Sequence, residues 1–501
     1  MKRRNSVTLT RLLFLTAVLL TLLAGCGKNR EKEDTVSTAE HMTELTESAK
    51  TKEETAPETT ESGTEAEKDT AASEEITSEE TAEKTTEPET EPESEPVIPE
   101  LYSNEGLVKS VYSGKYTDPY VEAVNEKTYG TAEANVFPVL SEESFSTETV
   151  REMILSYTLP EKAYYGDSVR TDALCQELLS YRNLEALPAE TLDGEPAMIT
   201  SRYGILVRNS DMRGFPTMLR ATDNNAPKDF DFFQETELLY ASGVLVLHQT
   251  ADDLWSFVRG ENYFGWIRTE DIAFLSREAY VQYLSPEHFI ISNGLDTANK
   301  DRFGRLGVIL PIRVEGDHIV TVCPGRDENG YFYEDVIPYM PSEAYHEGYY
   351  PYDENIGRVL TEQITALKDA GMLYGWGDTE QNYDCSSTLG LLYRLFGFQM
   401  PRNTSAMKYF GGSVRDISMM TDEEKCAILN GCMGAILIMP GHAMILTAEN
   451  TVCHNNSLLY TDPSGTGIQE NYRLVESPLN GIFGKDGTSF LTKLTYVISW
   501  Q

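Results

Sequence analysis

Positive charge is scarce in this chain: 41 Lys and Arg stand against 80 Asp and Glu, a formal net charge of −39. Proteins that grip phosphate backbones carry a basic patch or stripe, so nucleic acid is excluded as a partner. A membrane-spanning run is missing too, since the most apolar stretch, Leu12 to Leu23, is well short of the roughly 20 residues such a helix needs. Cysteine is sparse, 7 in 501 residues. Apart from Cys26 these are Cys175, Cys323, Cys385, Cys426, Cys432 and Cys453, and they form no pair of CxxC spacings. Neither a disulfide framework nor a zinc cage is indicated. Between residues 28 and 98 there is hardly an aromatic side chain; Thr, Glu, Ser, Ala and Pro dominate, a composition that cannot bury a core.

What is present begins with an export pattern. Lys2, Arg3, Arg4 and Arg11 precede the apolar stretch, which ends at Leu23-Ala24-Gly25-Cys26. This resembles a bacterial lipoprotein signal, in which the cysteine of such a box receives lipid and becomes the mature N-terminus. The resemblance implies residues 1–26 as signal, Cys26 as the lipidation site, and an extracytoplasmic protein held to a membrane by lipid. Residues 27–98 then read as a disordered acidic tether, with a reach on the order of 45 Å as a flexible coil. The remaining stretch of about 400 residues exceeds one usual core, so several domains are expected.

Residues 99–195 read as a helical lead-in domain, with helices over Ser144 to Tyr157 and Thr171 to Leu184 from their apolar spacing. From 196 to 275 the pattern changes to short β runs punctuated by Gly, Asp and Asn, which suits a small barrel. Val207-Arg208-Asn209-Ser210-Asp211-Met212-Arg213, Asp253-Leu254-Trp255-Ser256-Phe257-Val258 and Tyr263-Phe264-Gly265-Trp266 resemble the bacterial Src-homology-3-like barrels of multidomain wall peptidases. A second such barrel is read over 276–345. Tyr263 and Trp266 serve either as barrel core or as substrate contacts.

The chemistry concentrates in residues 346–501. Tyr383-Asp384-Cys385-Ser386-Ser387 precedes an apolar run at helical spacing, so Asp384 can cap a helix that begins at Cys385. A thiol so placed faces free backbone N–H groups, which predicts a lowered thiol pKa and a nucleophile. Such a nucleophile needs a base, and the base an orienting group. Among only 7 His, His442 opens a β run after Met439-Pro440-Gly441. His454 falls on the next run and is predicted to lie opposite it, with Asn455 and Asn456 as other groups able to orient the imidazole. A metal set of Cys432, His442, Cys453 and His454 matches no common ligand spacing, and neighbours on a strand point to opposite faces.

The order Tyr-x-Trp-Gly (Tyr374 to Gly377), Asp-Cys-Ser, Pro401-Arg402, Gly441-His442 and a further His resembles the NlpC-type papain-like peptidases of bacterial walls. The resemblance implies an α+β fold with a papain-like catalytic domain, no cofactor, and a monomer acting on peptidoglycan stem peptides. It implies Cys385 as nucleophile, His442 as base and His454 as its orienting residue in cleavage of the γ-D-glutamyl bond to a diamino acid. In some multidomain members a free L-alanine amine is held by the residues that correspond to Asp384, Ser386 and a barrel tyrosine, Tyr263; a barrel glutamate that contributes in some relatives has no position assigned by the sequence. This chain has Ser387 where the family has Gly, a departure that bears on helix packing. Two other classes remain open: a non-catalytic wall-binding lipoprotein, and an amidase or acyltransferase of the same fold.

Overall fold

The computed structural model describes residues 118–500, apart from 141–143, 162, 167, 189–196, 223–229 and 340. The export signal, Cys26, the acidic tether and the start of the lead-in segment lie outside the described residues. Within the described residues no helix is long and apolar enough to cross a membrane.

Helix α1 (Pro119–Tyr129) is capped by Asp118, whose carboxylate accepts the Tyr120 N–H, and has Pro at its start, where a missing N–H costs nothing. It packs on the C-terminal domain: Val121 and Val124 join that domain's core. The Asn125 side chain donates to Gly397 O (2.9 Å) and accepts from Gln399 N–H (2.8 Å). The helix expected over Ser144 to Tyr157 is shorter, α2 (Thr147–Leu155), because Ser146 caps it and Ser144–Ser146 pairs instead with Met198–Thr200. Helix α3 (Asp172–Ser180) starts after its Thr171 cap and stops short of Leu184. The lead-in segment is therefore not purely helical. Its short extended pieces find partners distant in sequence, such as Tyr164–Tyr165 with Ala221–Thr222, and no local pattern announces them.

Two β units follow. The first is a seven-stranded antiparallel sheet, curled on itself, with strands β1 (Arg202–Leu206), β2 (Ser210–Arg213), β3 (Gln234–Leu238), β4 (Gly243–Gln249), β5 (Trp255–Arg259), β6 (Phe264–Arg268) and β7 (Ile272–Leu275) in the order β7-β1-β4-β5-β6-β2-β3. Phe257 and Trp266 pair across β5 and β6 and are fully buried. The second is a five-stranded sheet of β8 (Phe289–Ser292), β9 (Ile309–Glu315), β10 (His318–Arg326), β11 (Phe332–Pro338) and β12 (Tyr345–Glu347), reached through helix α4 (Arg277–Leu284).

The C-terminal domain sets α5 (Ile356–Asp369) and α6 (Cys385–Arg394) against a six-stranded sheet. Its strands include β13 (Ser413–Asp416), β14 (Ile436–Met439), β15 (His442–Ala448), β16 (Thr451–Tyr460), β17 (Ile468–Pro478) and β18 (Tyr496–Ser499). In α6, Leu389, Leu392 and Tyr393 repeat at helical spacing and bury against Leu360, Ile364, Ile436, Ala443 and Ile445. Each such side chain contributes about 1.5–3 kcal/mol on burial, which holds the start of α6 against the start of β15.

Candidate active site

The thiol is placed by a capping box. The Asp384 carboxylate accepts the Ser387 N–H at 2.9 Å, and the Ser387 hydroxyl accepts the Asp384 N–H at 3.1 Å, so that Cys385 is the first residue of α6. The Cys385 Sγ lies 3.9 Å from Thr404 Oγ1 and within hydrogen-bonding reach of the N–H of Ala443, the residue after His442. The expected low thiol pKa is not what this setting gives. Burial first, then the Asp384 carboxylate, push the thiol up to about 11, against the opposing pull of the Ala443 N–H, Thr404 and Arg402. Left to itself the thiol keeps its proton at neutral pH.

His442 is fixed by a tight turn. Met439 pairs with His442 across Pro440-Gly441, and Gly441 takes φ +75°, the left-handed conformation glycine adopts at low cost. His442 Nε2 lies 2.7 Å from Nδ1 of His454. The two are diagonal, not directly opposite. A bulge between Leu446 and Ala448 sets Ile445 against Cys453, and that register carried outward puts position 456 across from His442. His454 is 1% exposed, its Nε2 is 3.1 Å from Ser477 Oγ, and burial lowers its pKa to about 3, so it stays neutral. Asn456 Nδ2 comes only within 3.5 Å of His454 Nδ1. Asn455 turns to the other side and donates to Tyr383 O at 2.7 Å. Cys453 likewise faces the core away from His454. Among the described residues no group of three or more His, Cys, Asp or Glu could hold a metal ion.

The facing wall comes from the first barrel. Tyr263 donates its hydroxyl hydrogen to Glu235 Oε2 at 2.7 Å. Burial raises Glu235 to about 7, with Tyr263 and Arg402 pulling the other way. Glu235 was not legible as a site residue, for it sits in the polar run Gln234-Glu235-Thr236-Glu237 with nothing local to single it out. Tyr263 packs its ring on the barrel cluster and also lines the cleft. Trp266 is wholly core. The cleft, about 340 Å³, brings Cys385, His442, Asp384, Ser386, Glu235 and Tyr263 to one space.

Its closed end is an ion cluster. Arg402 Nη2 lies 2.7 Å from Asp384 Oδ2 and 2.9 Å from Asp378 Oδ2, and Nη1 donates to Ser386 Oγ at 3.0 Å. Against the cost of burial, the Arg402 guanidinium holds Asp384 below the usual carboxylate range, whereas burial holds Asp378 above it despite the same Arg402. Ser387 donates its hydroxyl hydrogen to Asp378.

Residues 219–268 match the SH3 domain of SH3b1 type. A solved structure described as a novel NlpC/P60 endopeptidase from Photobacterium damselae subsp. piscicida superposes with a TM-score of 0.54, at 16% identity, over 78% of this chain and 95% of that one. The chain has the fold of a multidomain NlpC/P60 protein with an SH3b1-type domain. NlpC2 and NlpC1 of Trichomonas vaginalis align at 14% and 12% identity over 60% of this chain and 98% and 94% of theirs, with TM-scores of 0.26 and 0.25. No curated protein matches the sequence.

Proposed function

We propose that this NlpC-type protein is a peptidoglycan stem-peptide endopeptidase that hydrolyses the γ-D-glutamyl bond to a diamino acid in wall turnover or remodelling. The observation that carries the reading is the meeting of a helix-start cysteine, bonded to Ala443 N–H, with a His442–His454 pair 2.7 Å apart. Because the thiol is held up near 11, a base has to take its proton, and His442 is that base. His454, neutral, orients the ring and accepts its Nε2 hydrogen. The Cys385 sulfur attacks the amide carbon, the backbone N–H of Cys385 helps to hold the oxyanion, and His442 returns the proton to the departing amine. Water, deprotonated by His442, then releases the thioester.

Asp384, Ser386, Glu235 and Tyr263 hold the free amine of L-alanine next to the scissile bond. An acidic end to the cleft is what charge-assisted binding of an ammonium requires. Lipid on Cys26 anchors the protein outside the cytoplasm and the acidic segment spans toward the wall.

The test incubates the protein without its tether, and its Cys385→Ala variant, with defined muropeptides and weighs the products. Cleavage after γ-D-glutamate by the unmodified protein alone is the expected result. Tight binding without products from either would make it a wall-binding lipoprotein. Thiol-dependent turnover of another amide, with muropeptides untouched, would make it an amidase or acyltransferase.

A further inference from the structure

Asp384 faces the cleft with a guanidinium already against it, which by itself would cancel the charge that an ammonium needs. All five N–H bonds of Arg402 are committed: Nε to Thr236 Oγ1 (2.7 Å), Nη1 to Asp384 Oδ1 (3.2 Å) and Ser386 Oγ (3.0 Å), and Nη2 to Asp378 Oδ2 (2.9 Å) and Asp384 Oδ2 (2.7 Å). Behind that guanidinium, away from the cleft, Asp378 is 4% exposed and accepts from Thr236 Oγ1 (3.1 Å), the Asp384 N–H (2.9 Å) and the Ser387 hydroxyl. Its four lone-pair positions are filled, so it is not itself a contact for substrate. Asp378 also holds φ +63°, a left-handed backbone that a non-glycine residue keeps at a cost, repaid here by those bonds.

We infer that Asp378 is a positioning residue for charge: it takes up Arg402 from behind, so that the cleft-facing Asp384 keeps a net negative charge and the closed end selects a cationic amine. Two carboxylates around one guanidinium leave one negative charge, and the side with room to express it is the cleft, where Asp384 is the more exposed of the two. Glu235, on the facing wall beside Tyr263, adds a second negative charge once ionised. Nearby, Arg213 pairs with Asp231 and Arg305 with Glu237, while Asp211, which accepts from Gln234 Nε2 at 2.9 Å, adds a further carboxylate near Asp378. The inference rests on the amine-binding end proposed above and deepens it.

The test uses the full chain with Cys385→Ala, so that binding is read without turnover. Calorimetry compares the tripeptide L-Ala-γ-D-Glu-L-Lys with its Nα-acetyl form, which removes only the alanine charge. The Cys385→Ala protein should bind the free-amine form at least tenfold more tightly. At pH 6, below the value of about 7 to which burial raises Glu235, adding Asp378→Asn, a residue that tolerates the left-handed backbone, should bring the ratio near one while the acetylated form binds as before. Adding Arg402→Gln as well removes one charge of each sign and should restore the preference, which a purely structural role for Asp378 would not. If the Cys385→Ala protein shows no preference, the amine-binding end itself is wrong. If the preference is there and Asp378→Asn keeps it, or if the preference is not restored in the Asp378→Asn/Arg402→Gln protein while its melting curve remains cooperative, the role of Asp378 is overturned.

Discussion

Cys385 and His442 sit on neighbouring elements of one domain, each fixed by local backbone, whereas Glu235 and Tyr263 reach the same cleft from a barrel distant in the chain. The first pair depends on the Asp384 capping box and the Pro440-Gly441 turn. The second depends on docking: Gln234 donates to Gly377 O at 3.0 Å, Thr236 to Asp378, and Arg402 to Thr236. The five-stranded unit that follows docks against the same region, with Arg305 donating to Asn382 O (3.0 Å) and Arg394 to Gly307 O (3.0 Å). None of its described side chains lines the cleft. On the proposed reading, the groups assigned to the chemistry ride on local rules, those assigned to substrate selection ride on an interface, and the five-stranded unit braces. Substitutions in the three places should separate into kcat, KM and stability effects.

The largest effect falls on the chemical wall. Cys385→Ala should abolish product formation in mass spectrometry, and His442→Ala should lower kcat about 100- to 10,000-fold with KM little changed; an equal rise in KM would erase the distinction between the walls. In the same pair, iodoacetamide should modify Cys385 at neutral pH much faster than Cys175. In His442→Ala that rate should fall and climb only toward pH 11, the value burial and Asp384 impose.

Next comes the brace. Arg305 and Glu237 form an ion pair at 2.8 Å with side chains 2% and 3% exposed. Arg305→Met leaves Glu237 without its partner, a loss of about 3–5 kcal/mol in urea unfolding above the pH of about 8 at which Glu237 ionises, with KM of the folded fraction unchanged. Burial already raises Glu237 to about 8. In the variant it takes up a proton more readily still, so the loss should shrink as pH falls.

The selective wall gives a smaller effect. Glu235→Gln should raise KM about tenfold for peptides with a free amine and leave kcat close to that of the unmodified protein. Since burial raises Glu235 to about 7, its carboxyl is neutral below that pH and charged above it. KM of the unmodified protein should therefore fall as pH rises through 7, and Glu235→Gln should lose that limb.

The most gradual effect is on stability against pH. His454 has its pKa lowered to about 3, so between pH 6.5 and 3 the unfolded chain binds a proton that the folded chain refuses. Stability should fall with pH there, by at most about 1.4 kcal/mol per unit. His454→Asn should flatten that part of the urea-unfolding profile; an unchanged slope would mean that His454 is not buried neutral.

Much of the chemical wall was readable in advance because caps and turns are local codes. Asp384 before an apolar helical repeat, and Pro-Gly before a β run, specify where Cys385 and His442 sit whatever surrounds them. His454 was readable as a partner but its register was not, since the bulge at Thr447 depends on how β16 packs against β17. The lead-in strands were invisible for the same reason: two or three residues pair only once a distant segment arrives.

The sequence by itself determined that Cys385 opens a helix and His442 opens a strand, because helix capping and tight turns act over a few neighbouring residues. Only the tertiary structure decided that Glu235 belongs to the site, that Asp384 shares Arg402 with Asp378, and that the thiol is raised and not lowered. Those facts are set by burial and by charges brought together from separate stretches of the chain, and desolvation has no local signature in a sequence.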